Sequence, residues 1–315
     1  MSPARDGKGP VWRRTAASLS PGSRLFESTG PAATTQTSAE WPPAWDDPFP
    51  GEEGIPAITP DRIDGAVVGG AIVHHGCLRI DGLLRADDVA HFVAAIDEAF
   101  AARERWLAAT EAGTDLDESV FAPFAPGRDR AEGFGRNGYI RTVDVPASLA
   151  DLASAFHRTG LVAAIAEHLG EHPAMIANKW ALRSTPSGKV AGDFHQDGAF
   201  LGEDVRSLNL WLALGHCGID APGLDIVPRR LDGVVEAGTE GAIFDWSVAP
   251  DVVERVAADA PVVRPEFAPG DALLFDHLLL HSTAIEETMT RERHAMETWM
   301  FAPSAYPEGQ IPLVF

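Results

Sequence analysis

The segment "VRSLNLWLALGHCG", Val205 to Gly218, alternates without a break. Leu208, Leu210, Leu212 and Leu214 fall on one face of an extended strand, and Ser207, Asn209, Trp211 and Ala213 on the other. Such a strand belongs to a sheet with one face in a core and the other carrying a polar group and an aromatic, as a pocket wall would. "PGDALLFDHLLLHS" and "ERHAMETWMFAPS" supply two further strands after it. The half before it reads differently. Val89, Phe92, Val93, Ile96 and Phe100 recur at helical spacing, with Asp87 or Asp88 as N-cap. "PASLADLASAFHRTGLVAAIAEHLG" predicts a second helix, broken at Gly160, whereas "GAIVHHGCLRIDGLL" reads as a strand leading into a turn. Helices first and short strands after imply an α+β chain with a sandwich or barrel in its C-terminal half.

A chain of 315 residues, 45% hydrophobic, is long enough for one large core. Residues 1–50 read as a disordered or draped arm, with Trp41 and Trp45 as a strap packing back, and 51–315 as a single domain. The Gly- and Pro-rich stretch 111–137 reads as a long loop of the kind that forms lids and binding surfaces. A net charge of -21 argues against a nucleic-acid surface, which needs Lys and Arg to replace phosphate counterions. No run approaches the ~18 apolar residues of a membrane span. Only two cysteines occur, Cys77 and Cys217, and no apolar segment follows the Arg13–Arg14 pair as a signal sequence requires. The expected setting is cytoplasmic and reducing, and the expected partner is a small-molecule substrate.

"GDFHQDGAFLG" places His195 and Asp197 two residues apart. On a strand, such side chains project from one face and can share a metal ion. One further histidine completes the 2-His-1-carboxylate set of non-haem Fe(II) oxygenases, which leaves coordination positions open. "FDHLLLHST" offers His277 and His281, on one face by parity but ~13 Å apart along a strand, so only one of them can join. The other eight histidines read as surface groups or core residues with satisfied nitrogens.

"FHQDG", "PGDALLFDHLLLHST" and "RHAMETWMF", with "GCLRIDGLLRADDVAHFVAAIDEAF" before them, resemble the phytanoyl-CoA dioxygenase family of Fe(II)- and 2-oxoglutarate-dependent oxygenases. The likeness spans about Gly76 to Phe301. It implies a double-stranded β-helix, a jelly-roll or cupin-like core with flanking N-terminal helices. It also implies metal ligation by His195, Asp197 and His281, the last chosen over His277 by its place in "LLLHST". The family arginine that holds the far carboxylate of 2-oxoglutarate corresponds to Arg293, which opens "RHAMETWMF". Arg293 lies one residue further from His281 than the family spacing and Arg291 one residue closer, and parity does not separate the two. Thr283 matches a family serine on the same carboxylate. Asn209, Trp211 and Lys179 stand where cosubstrate contacts occur. Arg229 and Arg230 depart from the family's "PGSH" pattern.

The implied reaction uses Fe(II), 2-oxoglutarate and O2 to hydroxylate a substrate C–H bond, releasing succinate and CO2. Asp197 stands where a halogenase would carry a small residue, which favours hydroxylation. Two other classes remain open at this point. A cupin-type metalloenzyme without 2-oxoglutarate needs no Arg293–Thr283 pair, and a non-catalytic ligand-binding β-barrel needs no complete ligand set.

Overall fold

A computed structural model of the chain describes residues 41–114, 116, 119–124, 138–177, 181–185 and 193–314. Residues 1–40, Lys179 and most of the expected 111–137 loop lie outside them. A large, mostly antiparallel sheet organises the molecule. Its strands are β1 (Ala57–Ile58), β2 (Cys77–Ile80), β3 (Tyr139–Arg141), β4 (Ala174–Ile176), β5 (Ala181–Thr185), β6 (Ser207–Ala213), β8 (Ala272–Phe275), β10 (Arg293–Phe301) and β11 (Pro312–Leu313). The spatial order is β1-β2-β8-β6-β10-β4-β11, with β5 also on β10 and β3 on β5. A second, two-stranded layer pairs β7 (Gly223–Ile226) with β9 (His281–Ala284). Isolated bridges extend it, from His195 to His281 and Ser247, and from Val263 to Ile226.

The alternation of β6 sorts the two sides of the large sheet. Leu208, Leu210, Leu212 and Leu214 pack with Leu274, Met296 and Met300 against Val89, Phe92, Ile96, Leu152, Phe156 and Ile165. Those last residues come from helices Ala86–Ala112, Pro146–Arg158 and Leu161–Leu169. Each such fully buried side chain contributes about 2 kcal/mol by leaving water. On the opposite side Trp211, Leu273, Phe275 and Ala295 meet Leu224 and Ile226 of the small layer, forming a second core. Helices therefore cover one face of the sheet and the small layer covers the other.

Three local expectations meet different outcomes. The helix break at Gly160 is present, with φ +77 between the two helices. "GAIVHH" is not a strand: it ends the helix Gly65–His75, and only Cys77–Ile80 is extended. Asp64 starts that helix by accepting from the backbone N–H groups of Ala66 (2.9 Å) and Val67 (3.3 Å). Close packing then overrides the β-branched composition. A Cβ at Gly69 would lie 2.3 Å from the Trp45 ring, and one at Gly70 would lie 2.5 Å from the Asp46 carbonyl. The third outcome concerns the long helix, where Arg85 occupies the N-cap position and Asp87 and Asp88 sit in the first turn. Their charge complements the positive helix end without capping it, and Asp88 accepts from Arg158 at 2.8 Å. At the start of the described chain, Trp41 stacks on His277, with centroids 6.3 Å apart.

Candidate metal centre

His195 and His281 meet as a reciprocal backbone pair. The His195 N–H donates to the His281 carbonyl at 2.9 Å, and the His281 N–H to that of His195 at 3.0 Å. Their rings lie side by side, centroids 4.5 Å apart. Sequence spacing places His195 and Asp197 on one strand, but the chain leaves the bridge at once. Asp197 heads a helical turn, Gly198–Leu201, its carbonyl accepting from Phe200 (3.1 Å) and Leu201 (3.0 Å). The two side chains still converge, with Nε2 of His195 3.8 Å from Oδ1 of Asp197. One ligand atom from each of His195, Asp197 and His281 lies within 4.8 Å of the others.

The surroundings choose which atoms are offered. Nδ1 of His195 lies 2.9 Å from the Asp193 carbonyl, and Nδ1 of His281 3.0 Å from that of Leu279. A carbonyl only accepts, so each Nδ1 carries the proton and each Nε2 keeps its lone pair for a metal. Burial, reinforced by the neighbouring His281 ring, pushes the His195 pKa down to about 4, which keeps that imidazole neutral. Oδ2 of Asp197 accepts from Asn209 Nδ2 (3.0 Å) and Trp299 Nε1 (2.7 Å), leaving Oδ1 for the metal. Two imidazoles and a carboxylate on one side of an ion fit non-haem Fe(II).

His277 is settled by its partners. The strand carrying it breaks: β8 ends at Phe275, and Asp276 Oδ1 accepts from the Leu278 N–H at 2.9 Å in the turn before β9. The His277 ring lies 3.1 Å from Ser207 Oγ and 3.2 Å from the Glu203 carbonyl. It is a satisfied core histidine. Burial lowers its pKa.

Thr283, Asn209 and Trp211, expected beside the cosubstrate, line a small cavity together with His195 and His281. Trp211 Nε1 and Asn209 Oδ1 are buried there without a hydrogen bond among the described residues, so a bound polar ligand or water gains both. Arg293 and Arg291 separate by burial. Arg293 begins β10 and is 1% exposed, whereas Arg291 lies before the strand, exposed, at a different surface pocket. Parity fails between them because the strand does not reach Arg291. Arg293 Nη1 donates to the Gly223 carbonyl at 3.2 Å, and its guanidinium carbon lies 5.9 Å from the Trp211 ring centroid. Arg293 is not among the residues lining the small cavity and approaches it through Trp211. Burial, with Arg183 nearby, lowers its pKa to about 10, so it remains a cation at neutral pH. Arg230 is spent on a structural pair, Nε to Asp276 Oδ2 at 2.5 Å, and Arg229 lies 3.9 Å from exposed Asp259.

Several site residues escape the sequence reading. Arg183 and Glu297 pair at 2.9 Å and line both the small cavity and a larger one of about 510 Å³ that opens from His195 and Asp197. Strand parity is the signal that could have found Glu297 and Trp299, which the reading also missed: both share a strand face with Arg293, and β10 pairs Trp299 with Asn209 and Glu297 with Trp211. Gln196, fully buried between His195 and Asp197 in the sequence, donates to the carbonyls of Leu278 (2.6 Å) and Gly233 (3.1 Å) and accepts from the Val235 N–H (2.7 Å). No sequence signal marks it.

Residues 72–295 match the sequence profile of the family described as Phytanoyl-CoA dioxygenase (PhyH). The chain belongs to the phytanoyl-CoA dioxygenase family. Among curated proteins none matches it in sequence. Solved structures share its fold. EctD from S. alaskensis with 2-oxoglutarate and 5-hydroxyectoine is 17% identical, covers 84% of this chain and 88% of its own, and has a TM-score of 0.54. The same protein with bound Fe is 18% identical over 76% of this chain and 77% of its own, TM-score 0.52. The non-heme alpha ketoglutarate dependent carbocyclase SnoK, from nogalamycin biosynthesis, is 14% identical over 78% and 87%, TM-score 0.50. Family membership and the His-Asp-His cluster together support an iron- and 2-oxoglutarate-dependent oxygenase. No helix among the described residues is long and apolar enough to cross a membrane.

Proposed function

We propose that the chain is an Fe(II)- and 2-oxoglutarate-dependent hydroxylase of a small-molecule C–H bond, built on a double-stranded β-helix. The observation that carries this reading is the ligand set itself. Nε2 of His195, Nε2 of His281 and Oδ1 of Asp197 are the atoms left over once every neighbouring hydrogen bond is assigned. The β7–β9 layer opposite the large sheet supports the jelly-roll reading, with 51–315 as one domain after an N-terminal arm. Two buried free cysteines suit a cytoplasmic setting.

When bound, the iron with 2-oxoglutarate and O2 supplies the oxidation: one oxygen atom leaves in succinate as CO2 is released, and the other goes to the substrate. The chain's own residues do the positioning. Thr283 and the Trp211 N–H face the small cavity and hold the far carboxylate of 2-oxoglutarate, while Arg293, buried behind Trp211, supplies the positive charge that favours an anion there. Asn209, expected as a cosubstrate contact, acts through Asp197, whose Oδ2 it holds with Trp299. Gln196 ties the ligand segment to the 233–235 loop. The large cavity beside His195 receives the substrate.

The test is O2-dependent conversion of 2-oxoglutarate to succinate by the purified protein with Fe(II). Slow succinate release without any added substrate, reduced at least a hundredfold in His281→Ala, is the expected result. Release that ignores His281→Ala, or none from iron-loaded folded protein, contradicts the proposal.

A further inference from the structure

The larger cavity is walled by rings. Tyr139, Phe200, Trp246 and Trp299 line it beside His195 and Asp197. Trp246 stands edge-on to the His195 ring, with centroids 5.1 Å apart and planes at 82°, and meets Phe200 in a second edge contact at 6.2 Å. Phe244 stacks parallel on Trp246 at 5.0 Å and 8°. The aromatic wall continues outward to an apolar rim, where Ile243 is 65% and Phe244 52% exposed. Trp299 has already committed its N–H to Asp197, so it offers the cavity only its ring.

Charge, by contrast, cancels. Besides the metal carboxylate, the lining holds two cations, Arg141 and Arg183, and two carboxylates, Asp193 and Glu297. Arg183 and Glu297 close on each other at 2.9 Å. An aromatic enclosure without cations suits a quaternary ammonium ligand, but two arginines in the lining oppose one. A cavity of about 510 Å³ holds a ligand of drug size.

We infer that the substrate is an uncharged, planar, unsaturated ring system, recognised through ring faces by Trp246 with Phe200 and Tyr139. Offset and edge-to-face ring contacts give such a molecule an advantage over a saturated one of equal size, because only the π-system has the matching quadrupole. This inference rests on the cavity being the substrate chamber of the oxygenase proposed above.

Calorimetric titration of the full chain with three probes tests it. The probes are 2-naphthol, its saturated counterpart decahydro-2-naphthol, and choline. The expected result is one 2-naphthol site, at least tenfold tighter than either other probe. Trp246→Ala weakens it about tenfold, while Trp246→Phe and Ile219→Ala, the latter at an exposed residue lining a different pocket, leave it within twofold. Equal affinity for decahydro-2-naphthol, tighter binding of choline, or indifference to Trp246→Ala each overturns the inference. The heat of binding requires no iron. A failure of the iron and 2-oxoglutarate reading therefore appears in the succinate assay while this titration stays intact.

Discussion

On the helix side of β6 and β10, Leu208, Leu210, Leu212, Met296 and Met300 are buried in a continuous apolar core. One residue along the same strands, on the other side, stand Asn209, Trp211, Glu297 and Trp299, which line cavities beside His195, Asp197 and His281. The pleat alone separates the two sets. The helix side tolerates exchange of one apolar shape for another because its contacts are many and undirected. The cavity side depends on single hydrogen bonds, such as the two on Asp197 Oδ2, where no neighbour can substitute. The same backbone thus carries stability on one face and chemistry on the other.

Removing bulk from the helix side produces the largest effect on folding. Leu274→Ala, at a fully buried position, costs about 3 kcal/mol in urea unfolding and leaves the metal affinity of the folded protein within twofold. If metal affinity falls in step with stability, the two faces are not separable.

His168 is a titratable exception on the packed side. It is fully buried in the helix Leu161–Leu169, and neither ring nitrogen has a hydrogen-bond partner among the described residues. Burial holds its pKa down at about 4, from an ordinary 6.5. The folded state therefore resists a proton that the unfolded state accepts. Its contribution is complete above pH 6.5 and is lost as pH falls toward 4, by at most roughly 3 kcal/mol. Metal-free wild type should lose more stability across that window than His168→Leu does. Parallel curves for the two proteins would remove His168 from the acid response.

On the cavity side, Trp299→Phe keeps the ring and deletes one donor to Asp197. Metal affinity should fall about tenfold, read by competition with a chelator, while the urea midpoint barely moves. Unchanged affinity would return Trp299 to a packing role.

How much of this was legible in the sequence follows the same division. Strict alternation in β6 and the helical spacing of Val89, Phe92 and Ile96 announced the packed side, because burial of one face leaves a periodic trace. At the candidate site, the resemblance named His195, Asp197 and His281, whose ligand atoms the structure brings within 4.8 Å of one another, and Thr283, which lines the cavity beside them. Geometry behind these residues was not legible. His195 and Asp197 converge through a bridge followed by a helical turn, not along a strand, and the turn at Asp276 takes His277 out of the strand line. Gln196 and Trp246 lie in loops, where no period exists to read. The segment "GAIVHH" misled because its helix is set by Asp64 and by close packing at Gly69 and Gly70, which composition does not encode.

The most direct measurement is the visible spectrum of the protein with Fe(II) and 2-oxoglutarate in the absence of oxygen. A weak charge-transfer band should appear in the wild type, vanish in His195→Ala, weaken in Arg293→Ala and persist unchanged in Arg291→Ala. No band from folded, iron-loaded wild type would contradict the account, and so would a band that responds to Arg291 in place of Arg293.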